Sequence, residues 1–239
     1  MNALLKLALE AHGGLARWQR HATMLADLSV SGAIWQYKQN PGLLDRTTVE
    51  AGVHAEHVIL RPFSAPDKHT VFEPGSLTLM DDRGTVVASR DNPRTSFDGH
   101  QAETPWDDFH VAYFSSYALW TYLSTPFLYT YPGFVTEEIA PWEENGEVWR
   151  RLKVTFPPEY ESHTREQITH FGSDGLVRRH DYTVDVLGGA TGANYAFDYK
   201  DFDGIKVPTT RRVYAYDATG QKIPEPLLVA IDIHDVKFI

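Results

Sequence analysis

The sequence predicts a mainly β fold of the α+β class, in which one antiparallel sheet is combined with helices at the N-terminus and in the middle of the chain. Three observations support this prediction. Apolar and polar residues alternate through most of the chain, as they do in half-buried strands. Turn signals separate these runs about every 8–12 residues, which favours consecutive antiparallel strands. Only residues 2–20 and 105–125 place their apolar residues at helical spacing.

The strand-like runs begin at Met24, where Leu28, Val30 and Ile34 alternate with polar residues. The other runs are 44–51, 53–61, 69–73, 76–80 and 85–89, and then 134–139, 147–156, 165–171, 176–186, 194–199, 207–217 and 227–238. Turn pairs such as Asn145-Gly146 favour tight hairpins. We expect about ten or eleven strands. No linker interrupts the pattern, so a single domain over residues 1–239 is predicted.

Two helical regions are predicted, at 2–20 and at 105–125. The first is interrupted by Gly13-Gly14, and because glycine weakens a helix, two short helices joined by a tight turn are favoured. The second begins with Thr104 as a candidate N-cap and Pro105 at the first helical position. Its aromatic residues point to nearly all sides, more than one core-facing stripe requires. This segment is therefore predicted to be buried.

The composition excludes several classes of protein. The chain has 239 residues, 42% of them hydrophobic, with no cysteine and a net charge of −10. The apolar content excludes disorder, and the absence of cysteine excludes disulfides, thiolate nucleophiles and iron–sulfur clusters. The acidic balance argues against a nucleic-acid partner. No window approaches the ~20 apolar residues of a membrane span. Residues 1–10 lack the pattern of a secretion signal, so a cytoplasmic location is expected.

Several local motifs carry a family resemblance. The segment 195–209 contains the turn Asp203-Gly204-Ile205 and then Pro208, and it follows the strand-like segment 175–182. Near its N-terminus the chain also contains the segment Ala11-His12-Gly13-Gly14. With the order helix, strands, central helices and strands, these motifs resemble the LolA/LolB-like lipoprotein-carrier family. The resemblance implies a strongly curved antiparallel sheet, an open half-barrel, wrapped around a helical plug with an apolar cavity between them. Family members that ferry lipoproteins are periplasmic or membrane-anchored, whereas residues 1–10 of this sequence lead us to expect a cytoplasmic location.

The central helix carries one candidate site. Trp106, His110, Tyr113 and Tyr117 share a helix face, and Asp107 lies beside it. An Asp107–His110 pair could orient the imidazole for general acid–base catalysis. The structural alternative is that Asp107 favours the helix dipole while His110 lies at the edge of the core within an aromatic stripe.

The strands carry a second candidate site. His180 and Tyr182 share one strand face, and His170 lies on the neighbouring strand, where the register decides whether it faces the same side. The alternative is a solvated strand face. Two histidines would need a third ligand to hold a metal. The segment His54-Ala55-Glu56-His57 does not supply a site, because in a strand its histidines point to opposite faces. No metal site is therefore predicted, and function is expected to survive chelation.

Two functions fit these residues. The first is binding of an apolar or aromatic small molecule or lipid in the cavity between the sheet and the helices. The alternative is a cofactor-independent acid–base enzyme (a lyase, isomerase, cyclase or hydrolase) that uses the same cavity. The expected catalytic residues are His110, His180, Asp107 and Tyr182, and the expected ligand contacts are Trp106, Tyr113, Tyr117 and His170. No cofactor is expected, and the sequence does not indicate an oligomeric state.

Overall fold

The structure, a computed structural model, describes residues 1–239 and contains one sheet of 13 antiparallel strands. The strands are β1 (Thr23–Ser31), β2 (Thr47–Gly52), β3 (Val58–Arg61), β4 (Lys68–Glu73), β5 (Ser76–Asp81), β6 (Val86–Asp91), β7 (Val135–Glu144), β8 (Glu147–Thr155), β9 (Glu166–Phe171), β10 (Val177–Val184), β11 (Ala190–Phe202), β12 (Ile205–Tyr214) and β13 (Val229–Phe238). The number of strands exceeds the predicted ten or eleven because every strand-like run forms a strand of its own. Even the four-residue β3 pairs with both of its neighbours, β2 and β4.

The strand order is β6-β5-β4-β3-β2-β1-β13-β12-β11-β10-β9-β8-β7. Two meanders, β1–β6 and β7–β13, are therefore joined through one ladder between β1 and β13, in which Val30 lies opposite Ile231. The sheet does not close, so β6 and β7 are its free edges. It forms a curved, open half-barrel around a helical region, as predicted.

Four α-helices accompany the sheet: α1 (Ala3–Ala11), α2 (Leu15–Trp18), α3 (Ala33–Tyr37) and α4 (Asp108–Ser124). The first two confirm the short N-terminal pair. Helix α3 was not predicted, since residues up to Ile34 continue the strand pattern of β1. At Gly32 the backbone has a φ of 119°, and a Cβ there would lie 2.4 Å from the Leu228 carbonyl oxygen. Only glycine fits this bend, at which the chain leaves the sheet.

Helix α4 begins later than predicted, with Asp107 rather than Thr104 as its N-cap. The Asp107 carboxylate accepts from the backbone N–H of His110, and the His110 side chain accepts from the backbone N–H of Asp107. This reciprocal capping box fixes the start of the helix. Every residue from His110 to Ser124 is buried, so the prediction that this aromatic segment is buried on all sides is confirmed.

The main core contains 50 buried hydrophobic residues from the helices and the concave face of the sheet. A smaller cluster of Trp149, Ala193 and Tyr195 lies on the convex face. No helix in the structure has the length and hydrophobicity needed to span a bilayer.

Candidate functional site

An apolar cavity of about 60 Å³ lies between α4 and strands β10–β13. Fifteen of its 19 lining residues are hydrophobic. Helix α4 contributes Phe114, Ser115, Ala118, Leu119 and Tyr122. The cavity forms because α4 carries the small residues Ser115 and Ala118 where the curved sheet faces it, so side chains do not fill the space between them.

One end of the cavity reaches the surface. Leu187 and Thr191, on one side of this opening, are partly exposed, and so are Leu228 and Val229 on the other. Ala190, next to Thr191 at this opening, is exposed, and the remaining walls, including Ile34 of α3, are buried. The cavity is therefore a closed-ended slot with an apolar mouth between the start of β11 and the start of β13.

His163 supplies the main polar contacts of the wall. It lies in the loop between β8 and β9 and is buried. Its Nε2 lies 2.7 Å from the Tyr122 hydroxyl, and its Nδ1 lies 3.2 Å from the Tyr117 hydroxyl. Its ring stacks on Tyr182 at a centroid distance of 4.0 Å, and Tyr182 also shares a short hydrogen bond with Tyr122. Both ring nitrogens are thus occupied by the protein.

The polar groups of the wall are neutral. Burial lowers the pKa of His163 well below its usual value, and the nearby His180 and Arg94 lower it further. Burial raises the pKa of the Tyr122 and Tyr182 phenols above their usual values. An uncharged imidazole and two protonated phenols that bond to one another offer an apolar ligand a wall without unpaired charge.

Of the predicted site residues, Tyr182 lines this cavity. His180 shares its strand face and packs edge-on against the Tyr122 ring, at a ring-centroid distance of 6.2 Å. Burial and the charge of Arg211 lower the pKa of His180 to about 3. His180 is therefore a neutral group next to the cavity, behind its tyrosine wall.

Asp107 and His110 lie at the N-terminal end of α4, outside the cavity. Besides the capping box, Asp107 pairs with Arg90 at 2.6 Å, and His110 Nε2 lies 3.2 Å from the Ser96 carbonyl oxygen. Trp106 packs edge-on against Phe97. These contacts start the helix and attach it to residues 90–97, which is the structural alternative that the sequence left open.

Tyr113 and Tyr117 attach the β8–β9 loop to α4. The Tyr113 hydroxyl donates to Glu161 at 2.6 Å and accepts from Arg94 at 3.2 Å. The Tyr117 hydroxyl contacts His163, as described above. Both tyrosines are fully buried. They hold the loop that presents His163 to the cavity, and neither lines the cavity itself.

His170 faces the convex side of the sheet. The register places it opposite Arg179, on the face opposite His180, so the two histidines do not meet. Its Nε2 lies 3.1 Å from Asp181, which also pairs with Arg179 at 2.6 Å. No group of three or more His, Cys, Asp or Glu residues in the structure is arranged to hold a metal ion.

Tyr122 and His163, which line the cavity, were not predicted from the sequence, and neither was the position of Arg211 beside them. His163 lies in a loop without a motif, so no local pattern marks it. Arg211 could have been identified from the sequence, because it lies on the inward-facing side of its strand together with Val207, Thr209 and Val213. A charged residue at a core position of a strand requires an explanation.

No protein-family model matches the sequence, and no curated protein matches it. Several solved structures have a similar fold. A DUF1329 family protein from Desulfovibrio piger aligns over 99% of this chain and 92% of its own, with a TM-score of 0.57 and 12% identity. A LolA superfamily protein from Nitrosomonas europaea aligns over 96% and 91%, with a TM-score of 0.55 and 10% identity. The chain has a LolA-like fold.

An outer membrane lipoprotein-sorting protein domain from Vibrio parahaemolyticus shows the same likeness, with a TM-score of 0.53 and 11% identity over 98% of this chain and 91% of its own. At these identities the likeness shows the fold alone. In the LolA-like half-barrel of this chain, the cavity lies between the helical plug and the strands of the C-terminal meander.

Proposed function

We propose that this protein binds an apolar small molecule or lipid in the cavity between α4 and β10–β13. The observation that carries the proposal is the lining, in which 15 of 19 residues are hydrophobic and the polar ones are neutral. The name of the Vibrio parahaemolyticus domain, which refers to lipoprotein sorting, agrees with an apolar ligand. Each methylene buried there would contribute about 0.8 kcal/mol to binding.

The cavity volume limits the shape of the ligand. A volume of about 60 Å³ is less than half of the ~150 Å³ of an engineered apolar cavity that binds benzene. The enclosed part therefore takes only a few carbon atoms, and a slender group such as an alkyl chain fits it best. A longer ligand extends through the mouth between Leu187 and Leu228.

Binding is favoured over acid–base catalysis by the state of the imidazoles. His163, the histidine that lines the cavity, has both nitrogens bonded to tyrosines. His110 lies at the start of α4 and His180 lies behind Tyr122, and neither lines the cavity. Proton transfer needs a base within hydrogen-bond reach of the substrate. The histidine that lines the cavity has no free nitrogen, and the lowered pKa of His180 makes that imidazole a weak base.

A neutral fluorophore with a slender chain, the alcohol of the conjugated tetraene parinaric acid, tests the proposal, because it fits the slot and its emission rises in an apolar environment. We expect saturable binding to the unmodified protein. Ala118→Leu puts three more carbon atoms into the cavity and should weaken binding at least about tenfold. Ala218→Leu adds the same group to an exposed turn and should leave binding unchanged. Thermal denaturation checks that each variant is folded.

If Ala118→Leu does not fold, Leu187→Trp narrows the mouth at a partly exposed position and should also weaken binding. Two results would refute the proposal. One is that the unmodified protein shows no saturable binding. The other is that a folded variant with a filled cavity or a narrowed mouth binds as tightly as the Ala218→Leu control.

A further inference from the structure

Three polar residues of the concave face lie directly beside the apolar cavity. They are His180 on β10, Asn194 on β11 and Arg211 on β12, with exposed fractions of 1%, 0% and 2%. Asn194 lies opposite both His180 and Val213 in the ladders, and Arg211 lies opposite Ile231. Val213 and Ile231 line the cavity. Side chains of directly opposite residues on one face are neighbours, so this polar cluster borders the cavity wall.

Arg211 is buried without a counter-charge. Its guanidinium donates from Nη2 to the Tyr122 carbonyl oxygen at 2.8 Å and lies 5.3 Å from the centre of the Tyr122 ring. Its main electrostatic partners are four tyrosines, whose raised pKa keeps them neutral, and no carboxylate is among them. The other buried arginine, Arg179, instead pairs with both Asp181 and Glu144. A buried cation without a carboxylate is costly to the folded protein.

The neighbours of Arg211 also lack partners. Neither the oxygen nor the nitrogen of the Asn194 side-chain amide has a hydrogen-bond partner, and His180 Nε2 has none. A purely apolar ligand would leave all of these groups unsatisfied. A carboxylate would accept the paired N–H groups of a guanidinium, for which its two oxygens have matching geometry. The Asn194 amide and the His180 ring nitrogen can donate to the same head group.

Tyr122 lies between the cluster and the cavity. Its ring lines the cavity and also lies over the Arg211 guanidinium. Its hydroxyl is held by His163 and Tyr182. A head group that bonds to Arg211 must therefore be small enough to pass the edge of this ring.

We propose that the ligand of this cavity is an alkyl carboxylate whose head group is bound by Arg211, with Asn194 and His180, while its chain lies in the apolar slot. The inference rests on the proposed function, since it adds a head-group site to the same cavity. It names the ligand class as a fatty acid that enters with its carboxylate first.

Displacement of the parinaryl alcohol by octanoate and by octanol tests the inference, because the two ligands share a chain and differ in the head group. We expect octanoate to bind the unmodified protein at least about tenfold more tightly than octanol. Arg211→Met should remove this preference by weakening octanoate at least about tenfold while leaving octanol unchanged. Arg212→Met is the matched control, since Arg212 points away from the cavity and pairs with Asp232. It should keep the preference.

Methionine replaces the buried charge with an apolar chain of similar length, and because Arg211 has no ionic partner, the change leaves no opposite charge unpaired. If Arg211→Met does not fold, Asn194→Leu removes the neighbouring donor and should reduce the preference for octanoate. Octyl phosphate, with its larger head, should bind more weakly than octanoate. Tighter binding of the phosphate would overturn the assignment of a carboxylate.

The outcomes separate the two proposals. If neither the fluorophore nor octanol binds, the proposed function fails. If both bind but octanoate shows no preference, or the preference survives Arg211→Met, the head-group site fails while the apolar cavity stands.

Discussion

Replacing Arg179 with methionine should strongly destabilise the protein at neutral pH. The guanidinium is fully buried on the convex face and donates to Asp181 at 2.6 Å, to Glu144 at 2.9 Å and to the Gly220 carbonyl oxygen at 2.7 Å. The side chains of its carboxylate partners Glu144 and Asp181 are only 10% and 13% exposed. Methionine keeps the apolar stem but leaves these two acids without their cation.

The expected loss follows from the burial of the pair. Removing one partner of a buried ion pair costs about 3–5 kcal/mol, because the remaining charge has neither its partner nor water. In a domain of this size, each kcal/mol corresponds to about 2–4 °C in Tm. The Tm of Arg179→Met should therefore fall by roughly 6–20 °C at pH 7.5.

The pH dependence has a definite sign. Burial raises the pKa of Asp181, but the hydrogen bond from His170 and the charge of Arg179 outweigh it, so the net pKa lies below the usual value. The pKa of Glu144 is also lowered, because hydrogen bonds and Arg179 outweigh burial. Both acids therefore stabilise the fold above about pH 4, where they are ionised in the unfolded chain, and lose this effect as the pH falls. In Arg179→Met the charge that lowers the pKa of both acids is gone and burial raises it, so the acids of the variant take up protons already above pH 4.5. The difference in free energy of unfolding between the unmodified protein and Arg179→Met should therefore shrink between pH 7.5 and 4.5.

Urea denaturation followed by circular dichroism at both pH values measures this difference. Arg150→Met is the control, since Arg150 pairs with Glu138 on the surface, with side chains 41% and 36% exposed. It should cost less than about 1 kcal/mol. The reasoning is refuted if Arg179→Met costs no more than Arg150→Met at pH 7.5, or if its cost grows on acidification.

Two further predictions concern the cap of α4 and the buried histidines. Asp107→Ala should lower the free energy of unfolding by about 1 kcal/mol through loss of the N-cap and leave fluorophore binding unchanged; weakened binding would instead support a ligand-contacting role for this end of the helix. Burial lowers the pKa of His12 to about 4 and that of His180 to about 3, and lowers that of His163 as well. These histidines gain protons near pH 6.5 only when the chain unfolds, so stability should fall below that pH by up to about 1.4 kcal/mol per pH unit for each histidine. Urea titrations from pH 7.5 to 5.5 measure the slope, and His163→Gln should reduce it; a slope that this change leaves untouched would contradict the assignment.

The sheet and the buried helix were predictable because their signals are local. A period of two marks each strand, and a helix with aromatic residues on every side has no polar face to turn to water. The start of α4 was predicted at Thr104, three residues too early, because Thr104 and Asp107 are both good N-caps. The ion pair with Arg90 and the reciprocal bonds with His110 favour Asp107, and sequence alone does not show the first of these contacts.

The site depends on contacts that no local pattern contains. The sequence placed His180 and Tyr182 on one strand face, but the position of His170 depended on the β9–β10 register, which puts it on the other. His163 reaches the cavity only because Tyr113 and Tyr117 hold its loop against α4. The sequence shows Arg211 as a charged residue among inward-facing positions. Only the structure shows that it has no counter-charge.

The single ladder between β1 and β13 has a consequence for synthesis of the chain. It joins Met24 to Phe238, so the two meanders become one sheet only after β13 (Val229–Phe238) has left the ribosome. Until then β1 and β12 are both edge strands with unpaired backbone groups, which can pair with other chains. The pairing also brings together residues far apart in sequence, which slows folding. A chain that ends before Val229 would keep both exposed edges permanently, and aggregation would be its expected fate.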